Sequence, residues 1–467
     1  SAIKLVETQE MAPERAIWEA ATSFADQMAA LGGYMAERVT DIHDVRARIV
    51  AELTGQQAPG IPVSDEPFIL AAIDLAPADT ATLDPEKVIA LITSDGGPQA
   101  HTAILARGLG LPAIVAAKGV TDIADGTVVY VDSNEGIVDT EPTDADREAA
   151  IKYANRKPVA DFDGKGVLAD GTRVELYANV GDGKSAEKAA SLKAEGVGLL
   201  RTEFGFLGHD AEPSIETQAK TYKSVFDAFP GKHIVVRTLD AGADKPLPFL
   251  NVNPEENPAL GVRGFRTDWT VPGVLTRQLQ AIKAASEDSD ADIWVMAPMI
   301  STTSEARNFA NMLKEIGLPV HGVMVETPAA VMNAEAILGE VDFVSIGTND
   351  LTQYTMAADR LLGDLAHLNN PWQPAVLKMI KMTVEGAQRA SVTAGKKKYV
   401  SVCGEAAADP ALAVVLIGLG VDTLSMNAGA IPAVAAVLKS VTKEKAQQIA
   451  AIALQQISSA EAKESAR

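Results

Sequence analysis

The chain has 467 residues, of which 47% are hydrophobic and 22% charged, a balance typical of a soluble protein with two or three domains. A net charge of −21 disfavours binding to nucleic acid, and no apolar run approaches the roughly 20 residues that a membrane helix needs. The one cysteine, Cys403, excludes an internal disulfide and a cysteine-cluster metal site, and the absence of a signal-peptide pattern predicts a cytoplasmic location.

The first third of the chain predicts two small folding units. Amphipathic helices over 13–30 and 33–54 form a hairpin, which we place in a domain of residues 1–58. Short apolar runs then alternate with turn residues, and they predict a compact β/α domain over 59–143 with one short helix at 102–109. The polar segment 144–170 is predicted to be a linker helix followed by a turn.

The remainder, 171–467, alternates strands with helices and predicts a (β/α)₈ TIM barrel. The eight predicted strands are 173–180, 196–200, 233–240, 292–299, 320–327, 341–348, 399–405 and 423–427. In such barrels the active site forms at the carboxyl ends of the strands. Those ends carry Asn179, Arg201, Arg237, Met299, Glu326, Asn349 with Asp350, Cys403 and Asn427. Two arginines, two acids and the single cysteine together favour a functional site over an ordinary polar rim.

His101 is the histidine with the most suggestive surroundings. It follows paired glycines and precedes the helical stretch TAILARG, so it lies at a helix amino terminus. Free backbone N–H groups there would stabilise a phosphoryl group on the imidazole, which is a competent nucleophile near neutral pH. The alternative is a purely structural role, in which His101 only caps the helix.

The segment GGPQAHTAILARGLGLPAIV, residues 96–115, resembles the phosphohistidine loop of Enzyme I of the bacterial sugar phosphotransferase system. Further matches in the same order extend the resemblance from residue 33 to about 440: EGVGLLRTEF, VVRTLDAGADK, EENPALGVRGFR, GVMVETPAA, SIGTNDLTQYT and CGEAA. The resemblance implies a swivelling phosphohistidine domain before the barrel, and transfer of phosphate from phosphoenolpyruvate to His101 with formation of pyruvate. It also implies onward transfer to a histidine-containing phosphocarrier protein and a homodimer formed through the barrel.

Phosphoenolpyruvate is a small trianion, so its recognition calls for several cations and favours planar arginine forks. Five residues can supply these cations: Arg201, Arg237, Lys245, Arg263 and Arg360. The resemblance adds Asn349 as a phosphate ligand. Glu326 and Asp350 are hard oxygen donors suited to Mg²⁺. The resemblance assigns to Cys403 the protonation of the enolate of pyruvate, a role that a mostly protonated thiol can fill.

The sequence also departs from the family. Its usual opening strand and the first helices of its carrier-docking subdomain are not in this chain, so we expect a truncated or processed protein that phosphorylates itself but passes phosphate on slowly. Gln99 and Ala100 replace the usual Thr-Ser before the histidine, and Ala76 replaces a threonine. The loss of these hydroxyls is expected to slow the histidine step or to change its pH dependence.

Two other functions are compatible with parts of the sequence. A dikinase-type enzyme would need a nucleotide domain, but no GxxxxGK[ST] loop is present and the segment before residue 59 is too short for an ATP-grasp domain. A non-catalytic protein that senses phosphoenolpyruvate would not need the thiol and the metal pair. Pyruvate release separates the sensor from the enzyme.

Overall fold

The computed structural model divides into two compact units, one of residues 1–156 with 361–363 and the other of residues 157–360 with 364–467. It describes residues 2–31, 39–56, 60–62, 64–75, 83–84, 87–95, 102, 106, 111–133, 136–154, 162–241, 247–250, 255–360 and 362–466. The domain boundaries drawn from the sequence stay predictions. None of the helices in these ranges has the length and apolar character needed to cross a membrane.

The first unit opens with helices α1 (Ala2–Gln9), α2 (Pro13–Leu31) and α3 (Val39–Thr54). Helices α2 and α3 pack against each other, and the guanidinium carbon of Arg46 in α3 lies 3.8 Å from the ring centroid of Trp18 in α2. The same guanidinium donates to the Thr22 hydroxyl over 2.7 Å. Both predicted helices are therefore present in the residues that the structure describes, whereas the predicted turn at Gly32 and Gly33 lies outside them. Helix α1 was not predicted.

Three parallel strands follow in the order β1 (Phe68–Ala72), β2 (Val88–Thr93) and β3 (Ala113–Ile114). An antiparallel pair, β4 (Tyr130–Asp132) and β5 (Ile137–Asp139), and helix α4 (Asp144–Ala154) complete the described part of this unit. A small apolar core lies beneath the parallel strands and is formed by Leu70, Leu83, Val88, Leu91 and Ala106.

The second unit is a closed barrel of eight parallel strands, as the sequence predicted. The strands are β6 (Glu175–Val180), β7 (Gly196–Arg201), β8 (His233–Arg237), β9 (Asp292–Ala297), β10 (His321–Val325), β11 (Phe343–Ile346), β12 (Tyr399–Val402) and β13 (Thr423–Met426). Each strand pairs with the next along the chain, and β13 pairs with β6 to close the barrel.

The helices around the barrel are α5 (Gly183–Ser191), α6 (Ile215–Phe226), α7 (Val274–Glu287), α8 (Thr303–Ile316), α9 (Pro328–Met332), α10 (Ala334–Glu340), α11 (Thr348–Met356), α12 (Pro374–Ala394), α13 (Pro410–Leu419), α14 (Ile431–Leu438), α15 (Lys443–Ala453) and α16 (Ser459–Ser465). Local signals fix their ends. Helix α8 begins with a reciprocal capping box between Thr302 and Glu305 and ends at Gly317 in the left-handed conformation.

The barrel interior is filled, so it is a packed core and not a pore. Its amino-terminal end holds aromatic rings, and Trp294 contacts both His233 and Phe343 with centroid distances of 4.3 and 4.9 Å. Gly322 gives the Phe343 ring its space, because a Cβ at that position would overlap the ring. The polar site residues lie beyond this layer, at the carboxyl ends of the strands.

Candidate active site

The carboxyl ends of the barrel strands carry most of the site residues predicted from the sequence. Arg201 ends β7 and Arg237 ends β8, whereas Glu326 and Cys403 directly follow β10 and β12. Asn349 and Asp350 lie in the first turn of α11, Arg263 lies between β8 and α7, and Arg360 follows α11. His101 and Lys245 lie outside the described residues.

Arg201 and Arg237 are neighbours across two paired strands, because their Cα atoms are directly in register. Arg237 is buried and forms ion pairs with Glu203 and Asp240, the latter at 3.4 Å. Burial works against its positive charge, but Glu203 and Asp240 together raise the pKa of Arg237 above its ordinary value. The pKa of Arg201 is lowered, first by burial and then by the like charge of Arg237. Two adjacent, partly desolvated guanidinium groups are a place where an anion would be stabilised.

Arg263 is held by two carboxylates. Its Nε and Nη2 bind the two oxygens of Asp240 at 3.1 and 2.8 Å, and its Nη1 lies 2.9 Å from Asp350 Oδ1. The other oxygen of Asp350 lies 3.4 Å from Arg360 Nη1. Asp350 therefore bridges two arginines that were both predicted to bind substrate.

Glu326 is only 1% exposed, and its Oε1 accepts the main-chain N–H of Met299 at 2.6 Å. Its pKa is raised to about 8 by burial and by the nearby charges of Asp350 and Asp240. Gly347 leaves room beside the second oxygen, since a Cβ there would lie 2.7 Å from Glu326 Oε2.

The carboxylates of Glu326 and Asp350 fit a cation, because a positive ion would offset both the burial and the carboxylate repulsion that raise the pKa of Glu326. Within the described ranges, no group of three or more His, Cys, Asp or Glu side chains could hold a metal by itself. Two carboxylates, completed by substrate oxygens and water, are a common protein contribution to a Mg²⁺ site.

Cys403 is buried where strand β12 meets the site, and its thiol donates to the carbonyl of Ile346 at 3.7 Å. Burial raises the pKa of Cys403, although the nearby Ser345 side chain and the charge of Arg237 oppose that shift. The Asn179 amide donates to the Cys403 carbonyl at 2.9 Å and fixes the backbone at this point. The thiol is thus kept protonated at neutral pH beside two cations.

The amino terminus of α11 meets the loop that follows Cys403. Asn349 Oδ1 accepts the main-chain N–H of Glu405 at 3.2 Å. This close approach requires Gly404, because an added Cβ would overlap the Thr348 hydroxyl and lie 2.8 Å from the Thr348 nitrogen. Free N–H groups at such a helix start favour a phosphate.

Four features of the site were not identified from the sequence: Glu203, Asp240, the Tyr354 hydroxyl and the backbone conformation of Met299. Tyr354 donates to the Ala259 carbonyl and lies 3.4 Å from Arg263 Nη1. Glu203 and Asp240 follow a strand-end arginine by two and three residues, so an acid soon after such an arginine was the available signal.

Two family models match the chain. The PEP-binding domain of PEP-utilising enzymes matches residues 160–443, and the mobile domain of PEP-utilising enzymes matches residues 64–136.

Relatives match over nearly the whole chain. A phosphoenolpyruvate-protein phosphotransferase from Streptomyces coelicolor is 47% identical over 97% of this chain and 81% of its own length. A protein of the same name from Haloferax volcanii is 39% identical over 97% of this chain and 81% of its own length. Another from Staphylococcus carnosus is 37% identical over 90% of this chain and 76% of its own length. The chain therefore belongs to the Enzyme I family of phosphoenolpyruvate-protein phosphotransferases, and its reaction is phosphoryl transfer from phosphoenolpyruvate through a mobile histidine domain.

Proposed function

We propose that phosphoenolpyruvate binds at the carboxyl end of the barrel and gives its phosphoryl group to Nε2 of His101. The observation that carries this assignment is the pair Arg201 and Arg237, in register on adjacent strands and set among buried carboxylates. A small trianion would bind these guanidinium groups, of which Arg237 is already held in place by Glu203 and Asp240. Arg263, Arg360, Lys245 and the start of α11 at Asn349 complete the proposed set of substrate ligands.

In the proposed reaction the bond between phosphorus and the enol oxygen breaks, and a bond between phosphorus and His101 Nε2 forms. The electron pair of the broken bond stays on the enol oxygen, where the arginines stabilise it. The Cys403 thiol then gives its proton to the methylene carbon, so pyruvate leaves and the thiolate regains a proton from water. The raised pKa of Cys403 keeps that proton in place until the enolate forms.

We assign Glu326 and Asp350 as the protein ligands of Mg²⁺, which when bound would neutralise the negative charge of the substrate. Asp350 is now shared by Arg263 and Arg360, so substrate and metal are expected to replace those ion pairs together. Glu326→Gln and Asp350→Asn should keep the fold and lose metal-dependent substrate binding. Titration calorimetry measures this, and unchanged metal affinity in both variants would place the metal elsewhere.

The assignment of His101 rests on its sequence motif and on family membership. Incubation with labelled phosphoenolpyruvate and Mg²⁺ is expected to place one acid-labile, base-stable phosphoryl group on each chain, at His101. His101→Ala should abolish the label, whereas replacement of the exposed His209 by alanine should leave it unchanged. Undiminished label in His101→Ala, or label on a serine, would contradict the assignment.

The partner of the second half-reaction is proposed to be a histidine-containing phosphocarrier protein, which would take the phosphoryl group from His101. We also propose a homodimer formed through the barrel and a cytoplasmic location. Sedimentation velocity of the purified chain would detect the dimer, and loss of label from His101 on addition of the carrier would detect the transfer.

A further inference from the structure

We infer that Met299 is a positioning residue, an inference that rests on the metal site proposed above. The left-handed backbone of Met299 directs its N–H toward Glu326 Oε1, which leaves Oε2 for the metal. The conformation of the main chain is what acts on Glu326, and the buried methionine side chain contributes only because its packing offsets the strain of that conformation.

Met299 has a φ of 59°, a conformation in which a side chain crowds its own backbone. Five residues other than glycine have positive φ in the part of the chain that the structure describes. The other four, Glu10, Ala116, Lys193 and Ala357, are exposed, as is usual at turns and helix ends. Met299 is 2% exposed, so its strain lies inside the protein and directly beside a predicted metal ligand.

The loop that carries Arg263 holds this conformation in place. Gly264 packs so closely that a Cβ there would lie 2.9 Å from Met299 Cβ. The next residue, Phe265, donates its N–H to the Pro298 carbonyl at 3.3 Å. The turn that follows β9 is therefore fixed by the same loop that places a substrate arginine.

The result is a carboxylate whose two oxygens differ. Glu326 Oε1 is occupied by the Met299 N–H at 2.6 Å, while Oε2 lies beside Gly347, where no side chain intervenes. Rotation of the carboxylate would cost the short hydrogen bond in a buried setting, where a lost partner is expensive. A left-handed residue at position 299 thus holds one carboxylate oxygen ready before any ligand arrives.

A matched pair of substitutions separates the contribution of the backbone conformation from that of the side-chain packing. Met299→Gly and Met299→Ala both remove the packing of the side chain, but only glycine adopts positive φ without a steric penalty. Each is made in a His101→Ala background so that substrate is not consumed, and Mn²⁺ binding is followed by electron paramagnetic resonance with phosphoenolpyruvate present. Met299→Leu serves as a size control, and thermal melting of each metal-free variant reports folding.

Met299→Gly removes the strain, and Met299→Leu keeps the packing that offsets it, so we expect both to bind Mn²⁺ within about twofold of the parent. Met299→Ala keeps the strain and loses that packing, so we expect it to bind about tenfold more weakly. Equal affinity in the glycine and alanine variants, whether both are strong or both are weak, would overturn the inference. Glu326→Gln is measured alongside. If it binds Mn²⁺ as the parent does, the proposed metal site is wrong. If Glu326→Gln loses Mn²⁺ binding while all Met299 variants bind Mn²⁺ with the affinity of the parent, the metal site is supported and only the role of Met299 is wrong.

Discussion

At the scale of single residues, Glu203 and Asp240 determine how the arginines of the site are held. Both acids are buried, and each forms an ion pair with Arg237. Removing one partner of a buried ion pair typically costs about 3–5 kcal/mol, because the remaining charge is left uncompensated. The charge of Asp240 is well protected, since Arg263 and Arg237 outweigh its burial and lower its pKa to about 2. The guanidinium groups therefore keep their orientation without substrate, which lowers the cost of ordering them when it binds.

The proposed acid role of Cys403 predicts a variant that separates the two chemical events. Cys403→Ala should still phosphorylate His101 but release pyruvate through slow, less stereospecific protonation, since the thiol is the proposed proton donor. Solvent deuterium incorporation at the methyl carbon measures this. Cys403→Ser is the matched control, because a hydroxyl is close in size but far less acidic, and it should also be slow. Full-rate, stereospecific incorporation in Cys403→Ala would show that another group is the acid.

Sequence reasoning identified the residues that end strands and missed those whose role depends on backbone geometry. Arg201, Arg237 and Glu326 could be placed at one mouth because strand ends of a parallel barrel converge. Asp240 lies in the loop after β8, and its partner Arg263 lies 23 residues further along the chain. The left-handed conformation of Met299 could not be predicted either, since methionine rarely adopts it and it is held by the packing of the distant loop at Gly264 and Phe265.

At the scale of elements, apolar patterning predicted the barrel strands well but extended several of them too far. The predicted strand 233–240 ends at Arg237, and the predicted strand 320–327 ends at Val325. In both cases the residues beyond leave the barrel ladder to form the site. Glycines set the distances between other elements, as Gly404 does between α11 and the loop after β12.

Two helix glycines provide a matched test of whether glycine sets the distance between elements, because each is the next-to-last residue of its helix. Gly339 in α10 would gain a Cβ with nothing within 4 Å, whereas a Cβ on Gly418 in α13 would overlap the Ala446 carbonyl of α15. Gly339→Ala is expected to stabilise the protein by about 0.4–1 kcal/mol, mainly by restricting the unfolded chain. Gly418→Ala should destabilise it by about 1–3 kcal/mol, because α13 and α15 must move apart. Urea denaturation measures both, and equal shifts would show that helix propensity outweighs packing here.

At the scale of the whole molecule, the proposed nucleophile and the proposed substrate ligands belong to different compact units. Arg201, Arg237, Glu326, Asp350 and Cys403 all lie in the barrel unit, whereas His101 lies in the first. In-line transfer needs His101 Nε2 within about 3–3.5 Å of the phosphorus, and delivery to a carrier needs the same atom exposed. The two halves of the reaction thus demand different positions of the histidine, and a rigid-body swivel between units would satisfy both.

This division predicts that the barrel alone recognises the substrate. Its main hydrophobic core is formed entirely by residues from Phe162 to Ala462, so residues 157–467 are expected to fold when expressed by themselves. In the presence of Mg²⁺ this fragment should bind phosphoenolpyruvate with a Kd within about threefold of that of the 467-residue His101→Ala chain, a difference below 1 kcal/mol. It should not release pyruvate, because it carries no acceptor histidine.

Calorimetric titration of both proteins with phosphoenolpyruvate measures the two Kd values. Arg237→Ala in the fragment is the control, and it is expected to lose binding. A fragment that folds but binds more than tenfold worse would mean that the first unit supplies part of the substrate site, and the assignment of ligands to the barrel alone would then be incomplete.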